Sequence, residues 1–147
     1  MDCVFCKIVA WVFDAKENYL YEDEKVLVML DNDYVVKWHA LVIWKGHFTN
    51  LSDLSEEDFA YFSQILHRSE KTLLKLCGKW RSINLKSWWL HPHFHFHIYP
   101  IDLEMPWRDI HDMIEKDEKH RQNTFFYEYL PWEKQKLIEE FKENFNK

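Results

Sequence analysis

An α+β fold, an antiparallel sheet with one long helix and a helical C-terminus, is what the sequence predicts. Two observations predict it. Short branched or aromatic runs of strand length fall on both sides of a single long amphipathic stretch. Strands, helix, strands and helices follow in that order rather than in βαβ alternation. The length of 147 residues, with 47% hydrophobic and 30% charged content, suits one compact domain with a proper core. Aromatic residues at 18% supply ample surface to bury, which excludes a disordered or low-complexity chain.

Tyr19–Tyr21 and Val26–Leu30, separated by Glu22-Asp23-Glu24-Lys25, read as a hairpin of two strands. Ala40–Trp44 is a third strand, framed by His39 and by Lys45-Gly46. Ser55 followed by Glu56, Glu57 and Asp58 is a helix start, a hydroxyl cap with acids where the helix dipole favours them. Phe59, Phe62, Ile65, Leu66, Leu73, Leu74 and Leu76 then recur at mostly three-to-four spacing until Gly78 stops the helix. Ile83–Leu85 and His93–Tyr99 read as two more strands. Beyond Pro100, residues 107–119 and 132–145 carry charged helical patterns, the second starting just after Pro131. The chain thus divides into a sheet domain over residues 1–105 and a helical extension over 106–147, packed on or near it.

The formal charge of -6 argues against a binder of duplex nucleic acid, which needs a basic face for phosphates, but not against a small nucleotide ligand. No apolar run approaches the ~18–20 residues of a membrane span. Met1-Asp2-Cys3 lacks the basic head and apolar stretch of a signal peptide. With Cys3, Cys6 and Cys77 an odd set, reduced thiols in the cytoplasm are expected rather than a disulfide framework.

The most informative stretch is His91-Pro92-His93-Phe94-His95-Phe96-His97-Ile98-Tyr99-Pro100. On a strand, the period of two sends His93, His95 and His97 to one face and Phe94, Phe96 and Ile98 into the core. Same-face positions lie roughly 6.5–7 Å apart. Such a row can surround one anionic group or ligate a metal, and imidazole suits nucleophilic and acid–base work on phosphate esters near neutral pH. Charged together, the three rings would repel, so the row needs an anion, a metal or selective protonation. His91 reads as a loop residue, and His67, His111 and His120 as solvated. Cys3 and Cys6 have the spacing of a shared tetrahedral metal, a reading the pair alone leaves open to redox chemistry or chance. Cys77 is most simply a small buried hydrophobe.

With these residues in place, the chain resembles the histidine-triad (HIT) nucleotide hydrolases and transferases. Their His-φ-His-φ-His-φ-φ signature, φ being apolar, is matched by His93-Phe94-His95-Phe96-His97-Ile98-Tyr99. Cys3-Val4-Phe5-Cys6-Lys7-Ile8 is similar to the opening of many bacterial members. Leu30-Asp31 with His39 resembles the family's Leu-Asp…Gly-His segment, and Ala40-Leu41-Val42-Ile43-Trp44-Lys45-Gly46-His47 its Leu-Val-Ile-Pro-Lys-x-His run. The resemblance spans roughly residues 1–100.

It implies a HIT-like antiparallel sheet and cleavage at the α-phosphate of a nucleotide conjugate through a nucleotidyl-histidine intermediate. His95 is then the nucleophile and His97 the phosphate contact, with His93 completing the triad. Asp31 is the ribose-binding acid. Val4, Phe5, Ile8 and Leu30 line the base pocket, core packing being an equal reading for those four. Asn84 and Ser87, just before the triad, are the candidates for phosphate contact. The resemblance also implies a zinc held by Cys3, Cys6, His47 and His93, and a homodimer. Two readings from other classes remain: a non-catalytic nucleotide- or metal-binding module on the same fold, and a transition-metal site in an unrelated β protein.

Only 2 glycines stand beside 8 tryptophans, where roughly ten glycines would be usual. Trp11 and Trp38 occupy positions where the resemblance has glycine, and Trp44 a proline position. Translating a gene that uses UGA for glycine with a table that reads it as tryptophan produces this pattern. The suspects are Trp11, Trp38 and one or both of Trp88 and Trp89.

Overall fold

The computed structural model describes residues 3–10, 14–31, 35–86, 92–118 and 129–147. Ser87, Trp11, Trp88, Trp89, His91 and His120, all singled out from the sequence, lie outside the described residues. The elements are α1 (Val4–Val9), β1 (Tyr19–Glu22), β2 (Val26–Leu30), β3 (Ala40–Trp44), α2 (Glu56–Cys77), β4 (Arg81–Leu85), β5 (His95–Ile101), α3 (Trp107–Glu118) and α4 (Pro131–Asn144). The five strands form one antiparallel sheet in the order β1-β2-β3-β5-β4. This is the α+β sheet that the strand, helix, strand pattern predicts. Among the described residues no helix is long and apolar enough to cross a membrane.

Local chemistry sets the long helix. The Ser55 hydroxyl accepts from the Asp58 amide at 3.1 Å, and three acids occupy the first turn. Gly78 ends α2 in the left-handed conformation at φ 66°, which glycine adopts without a Cβ penalty. Helix α1 was not foreseen, since six residues are too few for a periodicity to show; the Cys3 sulfur caps it by accepting from the Cys6 amide.

The two faces of the sheet carry different work. One face packs Val26, Val28, Val42, Phe94 and Ile98 against Phe62, Ile65 and Leu73 of α2, Leu137 and Phe141 of α4, and Phe145 at its C-terminal cap. The C-terminal helix is therefore part of the main core; full burial of a side chain such as Phe141 stabilises by about 1.5–3 kcal/mol. The opposite face is covered at one end by Phe5 and Ile8 of α1, which meet Leu27, Met29, Leu41 and Ile43. At its other end Ile110 and Met113 of α3 pack on Tyr99 and Ile101. The histidines lie between these two covers.

Strand β5 begins at His95, two residues later than the sequence pattern predicts. The reason is local: the Phe94 amide donates to the Phe48 carbonyl at 2.6 Å, and its carbonyl accepts from the Trp44 amide. This turns His93 toward the N-terminal segment. The alternation survives, with Phe94 and Ile98 fully buried and Phe96 packed on the same core.

Asp23 anchors the β1–β2 turn. Its carboxylate accepts from Tyr21 at 2.7 Å, from the Tyr61 hydroxyl of α2, and from the Lys25 and Val26 amides at 2.8 Å each. Burial alone would raise its pKa, but the two phenols and two amides outweigh that and hold it below the usual carboxylate range. A carboxyl depressed on folding stabilises the native state above its unfolded pKa near ~4, and that contribution disappears as pH falls through the folded value. Asp23→Asn should cost about 1.5–3 kcal/mol at pH 7 in urea unfolding, with the gap to wild type narrowing below about pH 4. A pH-independent gap would show that the charge is not what stabilises the turn.

Trp38 has φ 71° and is the one non-glycine residue at positive φ among the described residues. A bulky L residue there carries roughly 1–2 kcal/mol of strain that glycine escapes. The backbone thus asks for glycine at one of the four tryptophans suspected from composition. Codon 38 is expected to be UGA; UGG there would dispose of the recoding.

Candidate active site and metal centre

The pleat of β5 puts His95, His97 and Tyr99 on the face opposite α2. His95 faces Ile43 and His97 faces Leu41 across β3. Both imidazoles are nearly enclosed, at 3% and 9% exposure, in a setting that strengthens any polar contact they make. His95 Nδ1 donates to the His93 carbonyl at 2.5 Å, which puts the ring's proton on Nδ1 and its lone pair on Nε2. Phe5 packs on the His95 ring with centroids 4.4 Å apart.

A second chain of contacts fixes His97. The Val35 amide donates to His39 Nδ1 at 3.4 Å, so the proton of a neutral His39 belongs on Nε2. That nitrogen lies 2.9 Å from His97 Nδ1, which accepts and leaves the proton of His97 on Nε2. His95 and His97 are thereby set in opposite tautomers: one offers a lone pair at Nε2, the other a donor. Asp31 Oδ2 stands 3.4 Å from His39 Nε2 and 3.8 Å from His97 Nδ1. Tyr99 backs the pair, stacking on His39 at 4.3 Å and lying parallel to His97 at 5.5 Å.

His93 belongs to another cluster. Its Nδ1 is 3.4 Å from Cys3 Sγ, 3.5 Å from Cys6 Sγ and 3.2 Å from His47 Nδ1, and Cys6 Sγ is 3.2 Å from His47 Nδ1. Tetrahedral zinc with ordinary bonds requires S···N edges of about 3.5 Å and an N···N edge of about 3.3 Å. The four side chains fit that polyhedron, with all donor atoms within 4.8 Å of one another. His93 Nε2 donates to the Trp44 carbonyl at 2.6 Å, which orients Nδ1 as the metal-facing lone pair. Burial lowers the His93 pKa, keeping the ring neutral as a ligand must be, while burial and the neighbouring Cys3 push the Cys6 thiol up.

Of the other residues proposed from sequence, Phe5 and Ile8 lie on the histidine face, with Val4 packed beside them. Leu30 points into the core on the α2 side, because it alternates with Met29 along β2. Asn84 also faces α2, where its amide donates to Glu70 at 3.0 Å; its register partner is Ile98, not His97. Neither is brought to the histidine row. His39 and Tyr99 are, although the sequence reading gave them no role. His39 sits two residues before Leu41, so once β3 is paired with β5 strand parity places it on the face of His97.

Alternating histidines on a sheet face, with the middle ring oriented by the carbonyl of the first, define a histidine-triad protein. Residues 12–102 match the family model of the HIT domain, and the chain belongs to the HIT family. It is 34% identical over 107 residues to Protein hit of Bacillus subtilis, covering 67% of this chain and 70% of that one. A hypothetical histidine triad nucleotide-binding protein from Sulfolobus tokodaii shares the fold at a TM-score of 0.73 and 23% identity, over 98% of this chain and 92% of its own. A Zn-bound histidine triad family protein from Mycobacterium smegmatis does so at 0.68 and 20% identity, over 99% and 94%. The fold removes the reading of an unrelated β protein.

Proposed function

We propose that the protein is a nucleotide hydrolase or transferase that cleaves at the α-phosphate of a nucleotide conjugate through a nucleotidyl-histidine at His95. One observation carries this reading: the His93 carbonyl fixes the His95 tautomer so that Nε2 bears the lone pair. Attack by Nε2 on the α-phosphorus forms a P–N bond as the bond to the leaving group breaks, the leaving group departing with the electron pair and taking a proton from solvent. The ring becomes an imidazolium whose Nδ1–H is already held by a carbonyl, which stabilises the intermediate. His97, donating from Nε2, binds a non-bridging phosphate oxygen as charge builds there. Water or another acceptor then attacks phosphorus and gives its proton to solvent, the P–N electron pair returns to Nε2, and neutral His95 is restored. Asp31, beside His97, is the carboxylate that would accept from ribose hydroxyls, and Phe5 and Ile8 are the apolar wall for the base. His93 serves through its carbonyl and its Nδ1 rather than as a proton carrier.

Cys3, Cys6, His47 and His93 would hold zinc, and the Zn-bound relative supports that assignment. Four protein ligands leave no open position, so the ion would tie α1 to the start of β5 and supply no reacting group. The protein acts in the cytoplasm as a homodimer packed through a sheet edge and the long helix; among the described residues β4 stands at one edge of the sheet. An α-labelled adenylate conjugate tests the function. Wild type should release adenylate and, quenched in alkali during turnover, retain label on a histidine. Tight binding without release or label, across dinucleoside polyphosphates, phosphoramidates and acyl-adenylates, would assign the non-catalytic module instead.

A further inference from the structure

His39 is delivered to His97 by a turn that is held from outside the sheet. Within the turn, the His39 amide donates to the Val36 carbonyl at 3.1 Å and the Val35 amide to the His39 ring. Trp38 sits between them at φ 71°. With the tryptophan side chain that conformation persists only where the surroundings over-determine it, and with glycine the freer backbone depends on the same contacts to stay in place. Two of those surroundings come from one segment. The Tyr129 hydroxyl accepts from the Trp38 amide at 2.5 Å, and Glu133 in the first turn of α4 pairs with Lys37 Nζ at 2.5 Å. That segment is fixed in turn by Leu137, Phe141 and Phe145, which α4 buries in the main core. Pro131 at the first position and the Glu133 carboxylate, accepting from the Leu130 amide at 3.4 Å, set where the helix begins.

We infer that Tyr129 and Glu133 are positioning residues for the reaction: they hold the 35–39 turn so that His39 keeps His97 in its phosphate-donating tautomer. The inference rests on the proposed role of His97. Helix α4, outside the segment matched by the family model, is then part of the site's framework as well as its core. Without the Tyr129 hydroxyl the Trp38 amide loses its acceptor, and the turn relaxes. Val35 and His39 then separate, and His97 Nδ1 no longer has a fixed donor. Nothing that touches substrate has changed, so the loss falls on turnover rather than binding.

The experiment compares wild type, Tyr129→Phe, Glu133→Gln and, as a control on the same helix, Lys136→Ala. Each is measured for kcat, KM and melting temperature, and the histidine ring nitrogens are observed by 15N NMR. Tyr129→Phe should lower kcat about 10-fold with KM little changed, as displacement of a positioned group does. Its His97 resonances should leave the Nε2–H pattern for an averaged one while the protein melts within a few degrees of wild type. Glu133→Gln should shift in the same direction by less, and Lys136→Ala not at all. Wild-type kcat and histidine shifts in both Tyr129→Phe and Glu133→Gln would overturn the inference and leave the proposed function intact. If Tyr129→Phe fails to fold, Glu133→Gln alone decides by the same two readouts. If wild type turns over no conjugate, the functional reading fails, while the NMR comparison still decides whether the turn sets the His97 tautomer.

Discussion

His95→Ala should reduce turnover of a nucleotide conjugate by at least ~10⁴-fold and abolish histidine-bound label, with the substrate still bound. The size follows from the role: without the ring there is no group to form the P–N bond, and what remains is positioning and the His97 donor. His97→Ala should cost less, about 10²–10³-fold, the range for losing one donor to developing charge, and it should keep the label. The two variants therefore separate nucleophile from stabiliser, which adjacent histidines of one strand face cannot do by position. Stability should move little, since β5 is held by ladders on both sides whatever side chain stands at 95. Free imidazole added to His95→Ala should restore part of the turnover through the vacated space, releasing an N-nucleotidyl imidazole that water cleaves. Normal turnover in His95→Ala would end the covalent reading.

The histidine face was legible because a strand has a period of two and the intervening residues are Phe94, Phe96 and Ile98, which can only go inward. The long helix was legible from its cap, its acids and its stop. What the sequence concealed was long-range pairing. Asn84 sits just before the triad, which suggested a phosphate contact, but the β4–β5 register pairs it with Ile98 and turns it to α2. A shift of one residue would have reversed that. Leu30 takes the core-packing reading rather than the base-pocket one, because it lies one step from Met29 along β2. The role of α4 was hidden by its charged pattern: Leu137, Phe141 and Phe145 recur every four residues, but nothing local says which sheet face they meet. His39 needed the partner strand before its parity had a meaning.

Zinc should be present at one ion per chain, and its removal should lower the melting temperature by about 10 °C or more. A closed site with two thiolates and two imidazoles contributes its binding free energy to folding, and each kcal/mol moves a chain of this size by about 3–4 °C. Cys3→Ser and Cys6→Ser should lose the ion; His47→Ala, with its ring at the exposed rim, should weaken it. Acid should act in the same direction. The His93 pKa is held down by burial, so the unfolded chain takes up a proton below about pH 6.5 that the folded one refuses, and stability falls as pH drops through the folded value. Protons also compete with zinc for the thiolates. His93 joins this site to the chemistry, because its ring faces the cysteines while its carbonyl holds His95. Stripping the ion should therefore lower kcat as well as stability, without making the metal a participant in the reaction. Full activity and an unchanged melting curve after chelation, with Cys3 and Cys6 open to thiol reagents, would leave the four side chains a hydrogen-bonded cluster and uncouple it from the nucleophile.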